Sequence, residues 1–318
     1  MLKIGKLKVS SPLILAPMAG ISDLPFRMLN RSFGCVLAFV EMINARSLSY
    51  KNKRTNIMLS SNAKDKPLGV QLLGCEPEYI KKAQEILLSH KPDLLDFNAA
   101  CPAKKVVRRG EGASLLKDPK KLHKLLKLLV KNSNVPLTVK IRSGWDKNTI
   151  NAREVGLLAE DAGVDAIFIH GRSRAQGYSG KVDYEAIQSV KKAAKIPVIA
   201  SGDIWSAQFA KKMFDETGCD GIIIARGSLG NPWLFKEIEH FLKTGKILPK
   251  PEISEILDII YKHLDLCIDF YGERVAVVLF RKFIGWYLKG YRHIRVIREE
   301  ITHIKTKAEL EKILGKYI

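Results

Sequence analysis

The sequence predicts a (β/α)8 TIM barrel followed by a small all-helical C-terminal domain. Three observations predict this fold: eight short apolar runs bounded by turn residues, helical patterns between the runs, and a change of texture after residue 245. The runs begin 23 to 43 residues apart, close to the length of one βα unit. Eight such units before residue 245 are typical of a barrel.

Most of the eight runs are rich in Val, Ile and Leu throughout, as expected for parallel strands buried on both faces. They cover residues 13–16, 36–42, 69–73, 94–98, 137–141, 166–170, 198–201 and 221–225. Helical patterns lie between them at residues 78–88, 119–130, 152–162, 184–194 and 206–216. An open doubly wound sheet is the alternative, but it rarely needs eight evenly spaced parallel strands, and no G-x-G-x-x-G motif follows the first run. We therefore predict a barrel over residues 1–245.

The C-terminal part of the chain has a different residue pattern. A proline-containing break at residues 248–254 precedes a helical pattern over residues 255–318, in which basic and aromatic residues are interleaved. Such a break is typical of a domain boundary. We predict a small helical domain over residues 246–318.

The net charge indicates a polyanionic partner. The chain has 53 Lys and Arg residues against 33 Asp and Glu residues, a net charge of +20. This excess favours nucleic acid first and an anionic membrane second, while a Lys-rich thermophile surface that only keeps the protein soluble is the alternative.

Several classes of protein are disfavoured by the same composition. No apolar run approaches the ~20 residues that span a bilayer, and the first residues show neither a long apolar stretch nor a cleavage site, so we expect a cytoplasmic protein. The five cysteines are odd in number and have no C-x-x-C spacing, which argues against a disulfide framework and a cysteine-rich zinc site. We expect no metal.

Polar or charged residues follow nearly every predicted strand, at the end where a barrel builds its site. They include Gln71, Asn98, Lys140, His170 and the turns Ser201-Gly202-Asp203 and Ala225-Arg226-Gly227. The loops after the seventh and eighth strands of such barrels commonly hold a phosphate. Lys140 and His170 could supply positive charge to the same ligand. Lys140 could instead form a Schiff base, although the neighbouring Arg142 and the phosphate loops favour a cofactor role.

Cys101 is the one cysteine at a strand end among charged residues. It follows the fourth predicted strand, in the longest connection of the barrel, and Lys104, Lys105, Arg108 and Arg109 lie close behind it. A lone cysteine is more often a small packed apolar residue. The cationic surroundings nevertheless make Cys101 the candidate functional thiol.

Ordered sequence blocks extend this pattern over almost the whole chain. They are LAPMAGISDLPFR (15–27), EM (41–42), VQLLG (70–74), FNAACP (97–102), VKIRSGWD (139–146), IHGRSRAQGYSG (169–180), ASGDI (200–204), IARGSLGNPWLF (224–235) and FRKFIGWYLKGY (280–291). With these blocks the chain resembles the tRNA-dihydrouridine synthases, which are FMN-dependent barrel flavoenzymes. Two positions depart from that family: Ala100 stands where it usually has Gly, and Ser201 where many members have Asn.

The resemblance implies reduction of uridine in tRNA to 5,6-dihydrouridine, with tightly bound FMN as cofactor and NADPH as reductant. Hydride from the reduced flavin reaches carbon 6 of the uracil, and carbon 5 must then be protonated. A thiol with an ordinary pKa near ~8.5 is mostly protonated at neutral pH and can give that proton. By similarity, Cys101 is the general acid.

The resemblance also implies binding residues. Those for FMN are Pro17, Met18, Ala19, Gln71, Lys140, His170, Ser201, Gly202, Asp203, Ala225, Arg226 and Gly227. Asn98 would touch the flipped uracil, and Arg172 would face either the flavin or the substrate. The expected contacts to the RNA are Lys104 and Arg108 in the barrel and Arg281 and Lys282 in the helical domain.

Two other functions fit part of this pattern. An FMN-dependent barrel oxidoreductase acting on a small molecule explains the cofactor residues but not the basic tail, and a non-catalytic RNA-binding barrel explains only the charge. The sequence leaves the oligomeric state open, with a monomer preferred.

Overall fold

The computed structural model describes residues 1–50 and 53–318 and contains a closed barrel of parallel strands. The strands are β1 Leu2–Ile4, β2 Leu7–Val9, β3 Leu13–Leu15, β4 Leu37–Phe39, β5 Ile43–Asn44, β6 Leu68–Leu73, β7 Leu94–Asn98, β8 Leu137–Arg142, β9 Ala166–His170, β10 Val198–Ser201 and β11 Gly221–Ile224. The ring closes because β3 pairs with both β4 and β11, and β4 also pairs with β6. The predicted barrel is therefore confirmed.

Helices cover the outside of the ring and form the C-terminal region. They are α1 Leu24–Arg31, α2 Ala45–Ser49, α3 Lys53–Met58, α4 Pro77–Ser89, α5 Lys104–Val107, α6 Pro119–Lys131, α7 Ala152–Asp161, α8 Tyr184–Ala193, α9 Ala207–Thr217, α10 Leu234–Thr244, α11 Ile253–Tyr271, α12 Glu273–Tyr287, α13 Ile294–Glu300 and α14 Lys307–Tyr317. The five helical patterns predicted between the strands correspond to α4 and α6 to α9. None of the helices described here is both long and apolar enough to cross a membrane.

The second predicted strand is interrupted in the structure. Residues 40–42 separate β4 from the two-residue β5, which pairs beside β6. In this interval Glu41 turns toward the loop after β3 and accepts a hydrogen bond from the backbone N–H of Gly20, while Met42 lines the cavity described below. The interruption thus places both side chains at the mouth of the barrel.

A hairpin that the sequence analysis did not predict closes the opposite end of the barrel. Strands β1 and β2 pair antiparallel around Gly5, whose φ of 53° suits glycine. Leu2, Ile4 and Val9 are buried in one cluster with inward-facing barrel residues such as Phe39. The barrel is thus a packed core with a single open mouth, at the carboxyl ends of its strands.

The helices α11 and α12 pack on the barrel beside the loop after β3, while α13 packs on α12 and α14 on α13. The Phe26 ring of α1 lies 5.9 Å from the His263 ring and 5.8 Å from the Phe283 ring, measured between centroids. The hydroxyl of Tyr271 donates to the Asp23 carboxylate at 3.0 Å. The predicted domain boundary at residue 245 falls between α10 and α11, and it stays a prediction.

An ion cluster built on the fully buried Asp65 joins α1 to the segment that leads into β6. Arg27 and Arg31 both donate to the carboxylate of Asp65, at 2.7 Å and 2.8 Å, and the Asp65 side chain is 0% exposed. Arg27 also donates to the Ser22 and Ser60 carbonyls, at 2.7 Å each. Hydrogen bonds therefore satisfy most of the charged atoms that burial has desolvated.

Replacing Asp65 with Asn should destabilise the fold, because two guanidinium groups would lose their buried counter-charge. We expect the free energy of unfolding to fall by about 3–5 kcal/mol, measured by urea denaturation. Asp215→Asn is the control, since it breaks only the exposed Lys211–Asp215 pair within α9. Equal midpoints for the two variants would contradict the role assigned to the cluster.

Candidate functional site

A cavity of about 400 Å³ opens at the carboxyl ends of the barrel strands. Its lining residues are Ala16, Pro17, Met18, Ala19, Ile21, Met42, Gln71, Asn98, Ala100, Cys101, Pro102, Lys140, Arg142, His170, Tyr178, Ser201, Gly202, Asp203, Ile204, Trp205, Ile223, Ala225, Arg226, Gly227, Leu229 and Trp286. Every residue predicted to bind the cofactor is in this set, together with Asn98 and Cys101. The volume suits a ligand of cofactor size.

Two buried nitrogen atoms in the cavity have no hydrogen-bond partner among the described residues. They are Nζ of Lys140, at the end of β8, and Nδ1 of His170, at the end of β9. Burial lowers the pKa of Lys140 to about 8, and the charge of the buried Asp96 opposes that shift. Burial, aided by neighbouring cations, lowers the pKa of His170 well below its ordinary value, so this imidazole is neutral. A buried polar atom without a partner is costly, so both nitrogens are suited to bind polar groups of a ligand.

The loops after β10 and β11 approach each other closely on one side of the cavity. A Cβ atom on Gly227 would lie 1.9 Å from the carbonyl oxygen of Ile204, so only glycine fits there. Gly202 has a φ of 137°, which is also restricted to glycine, and Asp203 has a φ of 50°. These two turns give the backbone the close approach that phosphate-binding loops need.

Asp203 lies between two arginines beside these turns. Arg172 donates to its Oδ1 at 2.9 Å and Arg226 to the same atom at 3.2 Å. The hydrogen bond from Arg172 lowers the pKa of Asp203. Arg172 is 2% exposed, donates also to the Ser179 carbonyl at 3.0 Å, and is not among the lining residues. In this structure Arg172 therefore positions Asp203, and its predicted contact with flavin or substrate stays a prediction.

Aromatic rings that the predicted site did not include surround Arg226. Its guanidinium carbon lies 4.6 Å from the Tyr178 ring centroid and 5.0 Å from the Trp205 ring centroid. The rings fix the direction in which this cation points. Tyr178 lies within the block at residues 169–180, which could have indicated it, whereas Trp205 lies one residue beyond the block at residues 200–204 and had no such signal.

A hydrogen-bonded turn holds Cys101 at the cavity. Oδ1 of Asn98, the last residue of β7, accepts hydrogen bonds from the backbone N–H groups of Ala100 and Cys101, both at 2.9 Å. Nε of Arg142 donates to the Ala100 carbonyl at 2.7 Å. Among the non-glycine residues that the structure describes, positive φ angles occur at Lys91 and Asp203, so the turn accommodates Ala100 without backbone strain.

Cys101 is the most accessible of the cysteines. It is partly exposed, whereas Cys35, Cys75, Cys219 and Cys267 are buried. Partial burial raises the pKa of the Cys101 thiol. The thiol is therefore protonated at neutral pH, the state from which it can donate a proton.

The predicted RNA-contacting cations fall into two groups. Lys104 and Arg108 lie on or next to α5, beside the Cys101 turn, and are exposed, with no carboxylate of the described residues within 4.0 Å. In contrast, Arg281 donates to the Ile304 carbonyl inside the helical region, and Lys282 donates to the Gly20 carbonyl of the loop after β3. The second pair thus takes part in intramolecular contacts, and its RNA contact stays a prediction.

Among the residues that the structure describes, the helical region contributes one side chain to the lining of the cavity. Trp286 of α12 lies among the lining residues with Met18, Ile21 and Leu229. The backbone of Trp286 passes so close to Gly230 that a Cβ atom there would lie 2.3 Å from its carbonyl carbon. The helical region and the barrel therefore form the cavity wall together.

Comparison with known sequences gives a family match over nearly the full chain. The family model for dihydrouridine synthases matches residues 14–317. A protein named probable tRNA-dihydrouridine synthase from Rickettsia conorii is 44% identical over 292 residues, which are 91% of this chain and 88% of its own length. A tRNA-dihydrouridine synthase B from Pseudomonas aeruginosa is 38% identical over 303 residues, 95% of this chain and 91% of its own length.

Comparison with solved structures gives the same fold at low sequence identity. An old yellow enzyme homologue from Zymomonas mobilis has a TM-score of 0.55 and 11% identity, over 80% of this chain and 94% of its own. A histamine dehydrogenase from Rhizobium has a TM-score of 0.57 and 14% identity, over 89% and 50% of the two chains. At these identities the likeness supports the barrel fold alone.

Brief treatment of the native protein with iodoacetamide should label Cys101 before any other cysteine, because it is the accessible one. The raised pKa means that a smaller fraction is thiolate than in a free cysteine, so labelling should still be accelerating as the pH rises above 9. Peptide mass spectrometry locates the label, and Cys101→Ala is the control. Labelling of Cys75 in preference to Cys101 would contradict the described exposure.

Proposed function

The chain belongs to the dihydrouridine synthase family, and we propose that it reduces uridines of tRNA to 5,6-dihydrouridine with bound FMN and NADPH. The observation that carries this proposal is the cavity itself, where a protonated thiol, a buried lysine and two phosphate-type turns meet. Uridine in tRNA is a cytoplasmic substrate, and we propose that the protein acts in that compartment.

FMN suits the chemistry of the cavity. The turns at Gly202 and Gly227, with Arg226 beside them, suit a phosphate. Lys140 Nζ and His170 Nδ1 are buried without partners and suit polar acceptors or donors on the flavin and its ribityl chain. Pro17, Met18 and Ala19, from the loop after β3, supply an apolar surface for a flat ring, and the Gln71 amide supplies a polar one.

Several residues of this protein have separate roles in the proposed reaction. When bound, reduced FMN supplies the hydride that uracil takes up at carbon 6. Cys101 holds the proton that carbon 5 requires, and Asn98 keeps the thiol at the cavity through the turn that it caps. Tyr178 and Trp205 hold Arg226 in one direction, so its charge is available without reorganisation.

A folded RNA must approach this mouth with its target base out of the stack. Lys104 and Arg108 stand next to the Cys101 turn, and we propose that they contact the phosphates on either side of that base. The net charge of +20 supports the same partner. Arg281, which donates within the helical region, and Lys282, which joins that region to the loop after β3, are proposed as secondary contacts.

Replacing Cys101 with Ala should slow flavin reoxidation by tRNA about 100-fold or more, because a positioned general acid is lost. The purified protein should contain FMN, and its reduction by NADPH should be unchanged in the variant because that step needs no acid at this position. Anaerobic rapid mixing of the reduced holoenzyme with unmodified tRNA measures reoxidation, and nucleoside mass spectrometry measures dihydrouridine.

The same experiment separates the rival functions. Protein without flavin would favour a non-catalytic RNA-binding barrel. A flavin that small enoates oxidise and tRNA does not would favour a small-molecule oxidoreductase. Wild-type reoxidation in Cys101→Ala would mean that another group protonates carbon 5.

Neutralising Lys104 and Arg108 together should weaken tRNA binding and flatten its salt dependence. Each lost phosphate contact should reduce the slope of log affinity against log salt by about one unit. The matched control is Lys211→Ala with Lys212→Ala, which removes the same charge from α9, where both lysines are already paired with carboxylates. Equal slopes for the two double variants would contradict the proposed contacts.

A further inference from the structure

A chain of buried hydrogen bonds runs beneath the cavity from a carboxylate to the Cys101 turn. Asp96, in the middle of β7, is 1% exposed and is not among the residues that line the cavity. Its Oδ1 accepts from the Thr138 hydroxyl of β8, and its Oδ2 accepts from Nε2 of Gln71 of β6, both at 2.6 Å. Oε1 of Gln71 then accepts from Nδ2 of Asn98 at 2.7 Å. Asn98 in turn caps the Cys101 turn, as described above.

The register of the strands brings the members of this chain of hydrogen bonds together. Gln71 lies opposite Asp96 in the pairing of β6 with β7, and Asp96 lies opposite Thr138 in the pairing of β7 with β8. All three side chains therefore meet inside the barrel at one level. Asn98 is two residues beyond Asp96 on the same strand, so it points to the same side one step nearer the mouth.

The chain of hydrogen bonds has one direction, which the groups at its two ends determine. An ionised carboxylate can only accept hydrogen bonds, so the amide NH2 group of Gln71 must face Asp96 and its carbonyl must face Asn98. At the other end, two backbone N–H groups require an acceptor, which is the carbonyl oxygen of Asn98. Reversing either amide would place a donor against a donor, at the cost of an unsatisfied buried group.

We propose that Asp96 is a positioning residue for Cys101. Its carboxylate orients the amide of Gln71, Gln71 orients the amide of Asn98, and the Asn98 carbonyl holds the turn that presents the thiol to the cavity. This inference rests on the proposed function, in which the Cys101 thiol protonates the substrate. It assigns a role to a residue that touches neither the cavity nor the thiol.

The cost of burying Asp96 supports this assignment. Burial raises the pKa of its carboxyl to about 6, and the nearby charge of Lys140 opposes the shift. No direct ion pair compensates the burial, because Nζ of Lys140 has no hydrogen-bond partner among the described residues. A barrel interior is filled equally well by an aliphatic side chain. What accounts for a buried carboxylate at this position is that it ends the chain of hydrogen bonds with a group that can only accept.

Three variants separate orientation from simple packing. Asp96→Leu removes the acceptor at one end, so that only the hydrogen bonds from the backbone N–H groups of Ala100 and Cys101 still orient the two amides. Asp96→Asn keeps an oxygen for Gln71 while its NH2 group can donate to Thr138, so the direction of the chain survives. Thr138→Val removes a hydrogen bond to the same carboxylate without touching Gln71, and it is the matched control for a disturbance of this level of the barrel.

The measurement is single-turnover reoxidation of the reduced holoenzyme by tRNA, together with the iodoacetamide labelling rate of Cys101. In Asp96→Leu we expect reoxidation about 10- to 100-fold slower, because misplacing a catalytic group by about 1 Å can cost up to about 100-fold in rate, and faster labelling because the turn is released. Asp96→Asn and Thr138→Val should stay near wild type in both measurements. If Asp96→Leu does not fold as holoenzyme, Asp96→Ser replaces it, because a rotating hydroxyl can donate or accept and sets no direction.

Each outcome decides the assignment. Wild-type reoxidation and labelling in Asp96→Leu, or in its serine substitute, would overturn it. If Asp96→Asn were as impaired as Asp96→Leu, the assignment would also be overturned, because the charge and not the orientation would then be the cause. Equal impairment in Thr138→Val would overturn it as well, because a general disturbance of this level of the barrel would then be the cause. Failure of the proposed function is distinct, since it would appear as wild-type reoxidation in Cys101→Ala whatever the variants at Asp96 do.

Discussion

Closure of the strand ring is the constraint on which the rest of the structure depends. The last strand, β11, pairs with the first barrel strand, β3, so residues as distant in sequence as Pro17 and Arg226 line one cavity. Because the strands β3 to β11 are all parallel, their carboxyl ends lie on a single rim, and the amino end is left to the hairpin β1–β2. The site is a property of this ring and of no single segment.

The helical region stabilises the rim at the loop after β3. The Lys282 ammonium binds the Gly20 carbonyl, and the Tyr271 hydroxyl binds the Asp23 carboxylate. The aromatic rings of α11 and α12 pack on Phe26 behind these polar contacts. The loop that carries three of the predicted cofactor residues is therefore fixed by polar and aromatic contacts with α11 and α12, which suits a surface on which a flat ring must lie.

The sequence predicted the eight strands and the rim because both follow from local pattern. Strands buried on two faces are apolar throughout, and polar residues at their ends stand out against that background. The roles of Arg172 and Asp96 had no such signal. Arg172 meets Asp203 across two loops, and Asp96 meets Gln71 and Thr138 only through strand register, neither of which apolar periodicity encodes. Likewise, the sequence of residues 255–318 showed basic residues in a predicted helix. It did not show that Arg281 and Lys282 donate hydrogen bonds to backbone carbonyl groups.

The position of Trp286 in the chain has a consequence for biosynthesis. A ribosome that has just added residue 245 has made every strand of the barrel, yet the tryptophan that completes the cavity wall is still to be translated. The nascent barrel would expose Met18, Ile21 and Leu229 at an unfinished mouth until α12 emerged and docked. Loading of any cofactor that needs this wall is thereby delayed until α12 has emerged and docked.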